Sequence, residues 1–211
     1  MTDGPERTDV SRLREKASTD RSALNALLDS VHVGHLGFIR AGSPVVLPTA
    51  VVRDGDRVLV HGSTGSPWLR HLAGSAAVCL AVTAMDALIV ARSAFESSIR
   101  YRSAVLFGTC TSLAGEQKSH ALDLITDTLI PGRVAEVRRP YERELAATLV
   151  LALPIEQWSL KLSTGWPDDD ADDVAGNAWA GVVPVVTSYG APLPAPDLRS
   201  AIPVPPSVHR L

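Results

Sequence analysis

Val60-His61-Gly62-Ser63-Thr64-Gly65-Ser66-Pro67-Trp68-Leu69-Arg70 is the stretch on which the fold reading turns. An apolar run ends at His61, small residues turn the chain, and a helix start follows. Ser66 offers an N-cap side chain and Pro67 suits the first helical turn. Such a start presents unbonded N–H groups and a partial positive charge, and Ser63, Thr64 and Ser66 add hydroxyl donors. That combination suits a phosphate. The same residues also read as a capped turn with no ligand. The segment lacks the Gly-Lys-Ser/Thr ending of a P-loop, so a nucleoside-triphosphatase reading fails.

Upstream, Ser18-Thr19-Asp20 precedes Leu24, Leu27, Leu28 and Val31, an apolar helical stripe, and predicts a helix from about 20 to 30. Strands are expected over 32–39, 44–52 and 57–61, with Asp54-Gly55 as a hairpin signal. Downstream, strands are expected over 76–83, 87–91 and 103–113. A helix follows at about 116–129, with Leu122, Ile125 and Leu129 on one face, and Pro131-Gly132 stops it. A short helix over 140–147 and closing strands over 148–153 and 157–162 complete the pattern. Many short strands with helices in the crossovers indicate a mostly β chain, a barrel or sandwich with flanking helices.

The chain has 211 residues, 45% apolar and 20% charged, enough for a real core. A net charge of -3 argues against nucleic acid. No apolar run approaches the ~20 residues of a membrane span. Residues 1–20 are polar and carry no secretory pattern, so a cytoplasmic protein is expected. Cys79 and Cys110 lie in apolar runs without metal spacing and read as small buried hydrophobes. No metal site is expected: His32 and His35 would face opposite sides of a strand. No Gly-x-Ser-x-Gly elbow supports a serine hydrolase. Residues 1–17 are expected to be flexible and 18–183 to form the domain. Residues 184–211 hold seven prolines and are expected to be an extended tail, hardly helix or central strand.

Two further segments carry candidate chemistry. Residues 88–108 place Arg92, Arg100 and Arg102 among serines between two apolar strands, and arginine reads phosphate by paired hydrogen bonds. A polar hairpin with solvated arginines is the alternative. Trp158, Trp166 and Trp179, three of the four tryptophans, fall near the C-terminal side. They suit a planar ring or a dimer interface, or simple packing. The acidic run 168–173 reads as a solvated loop.

Together, "LVHGSTGSPWLRHL", "ARSAFESSIRYRSAVLFG" and "WAGVVP", with 23–38 before them, resemble the pyridoxamine 5′-phosphate oxidase-related flavoproteins. The nearest branch is the flavin-nucleotide-binding and nitroimidazole reductase-like one. The resemblance implies a six-stranded antiparallel FMN-binding split barrel, a homodimer, and flavin sites between subunits. Ser66 matches the phosphate-binding serine, Ser103 falls near a flavin-contacting strand position, and His61, Gly62 and Ser63 line the flavin edge. Thr49 is a looser match. Ser98, Tyr101 and Arg102 join the set from the second segment. There are departures. Trp68 stands where the oxidase motif has lysine, the second strand lacks the oxidase's basic residues, and the arginine-histidine substrate signature is not recognisable. Phosphate binding would then lean on Arg70, Arg92 or Arg102. The implied function is an FMN-dependent oxidoreductase acting on a small planar acceptor, not pyridoxamine phosphate oxidation. A flavin carrier or sensor without turnover, or a barrel binding haem or another planar ligand, are the alternatives.

Overall fold

The computed structural model describes Thr8, Val10 and residues 12–199 and 202–211. Part of the segment expected to be flexible, residues 1–7, 9 and 11, lies outside the described residues. Strands and helices run in the order β1 (Ala17–Ser18), α1 (Arg21–Ser30), β2 (Val33–Arg40), β3 (Ser43–Ala50), β4 (Val52–Asp54), β5 (Arg57–Ser63), α2 (Pro67–Ala73), β6 (Ala77–Val90) and β7 (Ser98–Thr109). There follow β8 (Thr111–Ser112), α3 (Gly115–Leu129), α4 (Glu142–Ala147), β9 (Thr148–Pro154), β10 (Gln157–Ser163), α5 (Ala171–Val174), β11 (Gly181–Pro184) and α6 (Pro206–His209).

The chain divides into two compact units. The first comprises Met1–Thr49, Ala77–Gly108 and Ile155–Val186. Its sheet has the order β1-β10-β7-β6-β2-β3, with β11 also paired to β6. Asp20 caps α1 as expected: its carboxylate accepts the Ser22 N–H at 2.8 Å. Those bonds hold the Asp20 carboxyl below its usual range. Leu24, Leu27 and Leu28 are buried, and α1 packs on β6. The β2–β3 hairpin turns on Ala41-Gly42, both at positive φ, the geometry that matches strand twist.

The second unit comprises Ala50–Ala76, Thr109–Pro154 and Thr187–Leu211. Its sheet has the order β4-β5-β9-β8. The β4–β5 loop is Gly55-Asp56, one residue later than the Asp54-Gly55 signal suggests, with Gly55 at φ 60°. Its core joins Val52, Leu59, Val150 and Ala152 to Ala121 and Ile125 of α3, with Leu122 and Leu129 at the margin. Cys110 is buried, and burial pushes its thiol up to about 11, so it stays a protonated hydrophobe.

Three expectations need correction. The strands expected at 76–83 and 87–91 are one strand, β6. Val78, Leu80 and Val82 are buried, then Ala87 and Ile89. The buried parity therefore changes across residues 83–86, as one extra residue in a strand would cause, and sequence alternation broke there. The next strand starts at Ser98 rather than 103, so Arg100 and Arg102 lie on strand while Arg92 lies in the β6–β7 loop. The proline-rich tail is not wholly irregular: its start belongs to β11 and its end forms α6, where Pro206 occupies the first turn that tolerates it.

Candidate functional site

In the second unit, β5 runs into α2 through residues 64–66. The turn is held by backbone bonds: Thr64 N–H donates to the Ala147 carbonyl at 2.9 Å, and Ser66 N–H to the Ser63 carbonyl at 2.9 Å. Ser63 Oγ accepts the Gly65 N–H at 3.1 Å. Ser66 sits at the N-cap with extended φ and ψ, but its hydroxyl makes no capping bond. That corrects the expected cap. The helix is held by Pro67, by backbone bonds and by Leu69 and Leu72, both buried. The Ser66 hydroxyl is thereby left for another acceptor. Arg70 is exposed and has no ion pair among the described residues.

Gly62 has a packing reason. A Cβ there would lie 2.7 Å from Leu69 Cδ1, so a side chain there would force the buried Leu69 of α2 to move. His61, on the same strand, is part-buried, and burial pushes its imidazole below the ordinary value. It is neutral at pH 7, with a lone pair available for a hydrogen bond or a metal.

In the first unit, the arginines of the β6–β7 hairpin are engaged. Arg92 pairs with Asp169 at 2.9 Å, and the same carboxylate accepts the Arg92 backbone N–H at 2.7 Å. Asp169 is 1% exposed at its side chain, so this pair is a buried anchor. Arg102 grips Asp86 through Nη2 at 2.9 Å and Nε at 3.0 Å, and donates to Ser30 Oγ at 3.3 Å. Arg100 donates to the Gly165 carbonyl at 2.8 Å and stacks 4.8 Å from the Trp166 ring. Strand alternation places Tyr101 and Ser103 on one face and Arg102 on the other. Lys16 lies 6.0 Å from the Tyr101 ring centre. Ser98 is exposed on the same strand, and Thr49 is part-buried near the end of β3.

The structure thus groups His61, Gly62, Ser63, Ser66 and Arg70 in one unit and Thr49, Arg92, Ser98, Tyr101, Arg102 and Ser103 in the other. Asp86 and Asp169 were missed. Asp86 had a signal, a lone carboxylate inside an apolar run; Asp169 was hidden in the acidic run. Of the tryptophans, Trp166 packs on Arg100 and Trp179 approaches Gly181, where a Cβ would meet its ring at 2.8 Å. The donor set at 63–70, a free hydroxyl and an unpaired guanidinium, has the chemistry to hold a phosphate.

No curated protein sequence matches the chain. Among solved structures, the FAD and haem binding protein from Mycobacterium smegmatis is 54% identical, with TM-score 0.89 over 92% of this chain and 96% of that one. The flavocytochrome Anf3 from Azotobacter vinelandii is 35% identical, with TM-score 0.89 over 98% and 96%. A Bacteroides thetaiotaomicron structure described as a 5-nitroimidazole antibiotic resistance protein is 20% identical, with TM-score 0.57 over 69% and 85%, and shows the fold alone. These likenesses carry the expected fold class, mostly antiparallel β with flanking helices. The family model of pyridoxamine 5′-phosphate oxidase matches residues 20–162, and the chain belongs to that family.

Proposed function

We propose that the protein is a flavin- and haem-binding redox protein. The observation that carries this is the 54% identity, across 92% of the chain, to a protein described as binding FAD and haem. The flavin supplies the redox chemistry, and the chain supplies binding, orientation and electrostatics. FMN, expected from the Ser66 motif, and FAD share the riboflavin phosphate, which the Ser66 hydroxyl and the Arg70 guanidinium would hold in either. The relative favours FAD. Gly62 and Ser63 precede Ser66 in the second unit and join its candidate flavin groups, and the first unit carries Thr49, Ser98, Tyr101 and Ser103 as its own candidate flavin contacts. A haem takes an axial base, commonly imidazole. Burial keeps His61 neutral and able to serve. Pyridoxamine phosphate oxidation is not proposed, because Trp68 occupies the lysine position of that motif. The substrate class is a small planar acceptor, and the assembly is a homodimer located in the cytoplasm.

A visible spectrum of the purified protein tests the reading. Two flavin bands with a sharp Soret band support it, and either signal missing removes that cofactor. Phosphodiesterase treatment of the released flavin raises fluorescence for FAD and leaves FMN unchanged. Sedimentation at low micromolar concentration checks the dimer, and a monomer carrying a full complement of flavin would end that part of the proposal.

A further inference from the structure

The proline-rich tail ends in contacts that are specific rather than incidental. Ser207 is fully buried. Its N–H donates to Glu136 Oε1 at 2.9 Å and its hydroxyl donates to Glu136 Oε2. Arg210 donates twice to the Pro131 carbonyl, at 2.8 and 3.2 Å. Gly132, at φ 83°, leaves the space that the Arg210 guanidinium fills, since a Cβ there would meet Nη2 at 2.2 Å. The tail is therefore pinned at its end, and its described residues line a cavity of about 630 Å³. Residues 192–195 and 202–205, with Leu198 and Val208, wall this cavity with proline and aliphatic groups. Among the described lining residues the charged side chains are Arg133 and Glu136.

The two differ in what they have left to offer. Both Glu136 oxygens are occupied by Ser207, and one also accepts from Arg133 Nη1 at 3.4 Å. Arg133 has no other side-chain bond among the described residues, so a guanidinium with five N–H groups keeps donors for a ligand. Arg133 is ion-paired with Glu136 through Nη1 alone, and a cavity of this size with apolar walls and the remaining guanidinium N–H groups at its edge has the anatomy of a small-molecule site. Among the described residues no histidine, cysteine or methionine lines it, so these residues offer no axial base to a haem. We infer that this cavity is a second site, separate from the flavin groups of β5 and α2, for an apolar molecule carrying a carboxylate of the fatty-acid class. The aliphatic wall takes the chain, and Arg133 takes the carboxylate by a charge-assisted bond.

The test is calorimetric titration of the full chain with dodecanoate, and with dodecanol as the uncharged probe. Dodecanoate is expected to bind at least tenfold more tightly than dodecanol. Arg133→Leu should erase that preference, and Leu198→Asp should abolish binding of both. Flavin and haem content, read from the spectrum, should be unchanged in each variant, and thermal melting confirms that each is folded. A second wall variant, Val204→Asp, stands in should Leu198→Asp fail to fold. Absence of dodecanoate binding to the wild type, or a preference that survives Arg133→Leu, overturns the inference. Loss of haem in a folded wall variant also overturns it, because the cavity would then be the haem site. A wild type without haem counts against the proposed function alone.

Discussion

Replacing Gly62 with alanine probes how β5 and α2 pack together at the candidate site. The new Cβ would stand 2.7 Å from Leu69 Cδ1, whereas carbon atoms in contact lie about 3.5–4.0 Å apart. The methyl must retreat by about 1 Å. Leu69 is fully buried, so its Cδ1 must turn to another rotamer within the core. Overpacking of this kind costs about 1–3 kcal/mol. Loss of glycine's unfolded-state freedom returns about 0.4–1 kcal/mol where the backbone is compatible. The net expectation is a destabilisation of about 0.5–2 kcal/mol, a fall in melting temperature of about 1–8 °C for a chain of this size.

The decisive form of the experiment is a cycle with Leu69→Ala, followed by circular dichroism in urea. Leu69→Ala alone should cost about 2–5 kcal/mol, as truncation of a buried leucine does. In the Gly62→Ala background it relieves the clash, so the double variant should be more stable than the sum of the singles by more than about 0.5 kcal/mol. Gly165, whose Cβ would meet nothing within 4 Å, is the control, and Gly165→Ala should be near neutral. Because α2 carries Ser66 and Arg70, flavin affinity should fall with Gly62→Ala at temperatures where the protein is fully folded. Additive energies, or a Gly62→Ala protein as stable as the control, would refute the packing account of this glycine.

Three more outcomes are expected. Arg70→Leu and Ser66→Ala should each weaken flavin binding, the arginine about tenfold or more, without moving the melting temperature, and riboflavin should bind wild type more weakly than its phosphorylated forms; equal affinities by fluorescence quenching would remove the phosphate site. Arg92→Leu should cost about 3–5 kcal/mol by stranding the buried Asp169, and Arg102→Leu much less, because Asp86 is 39% exposed at its side chain and water can replace the arginine; equal losses in urea titrations would contradict that ranking. Glu144, held at about 2 by Arg138 and the Tyr141 N–H against an ordinary 4.5, contributes stability that is present above pH 4.5 and lost as pH falls towards 2. Glu144→Gln should flatten that part of the melting profile, and an unchanged acid slope would show the interaction to be idle.

Local periodicity made most elements legible. The α1 stripe of Leu24, Leu27 and Leu28, the strand ending at His61, and the Pro67 helix start all rest on residues within one or two turns of each other. What failed was what depends on distant partners. The phase change in β6 follows from packing, and Asp86 beside it finds Arg102 sixteen residues on. Asp169 reads as one carboxylate in a solvated run, yet it reaches Arg92 from 77 residues away. The Ser66 cap was inferred from residue type, while the helix is held by buried leucines instead. The pinning of the tail by Glu136 and Arg210 has no local signature, because proline content predicts extended chain but not where it docks.

The pairing of the arginines bears directly on where an anion can be held. A net charge of -3 gives the protein no general attraction for phosphate, so binding must come from a guanidinium whose charge is not already spent. Arg92 is spent on a buried carboxylate, and releasing it would leave Asp169 buried without its guanidinium partner. Arg102 holds Asp86 with two nitrogens and is fixed as a strut between neighbouring strands. Arg70 remains, on a helix whose first residue follows a hydroxyl that caps nothing. The absence of the oxidase lysine at Trp68 then has a physical counterpart. In the proposed reading the positive charge stands two residues further along α2, at Arg70, and the ligand it suits is set by what lies beyond the phosphate rather than by the phosphate itself.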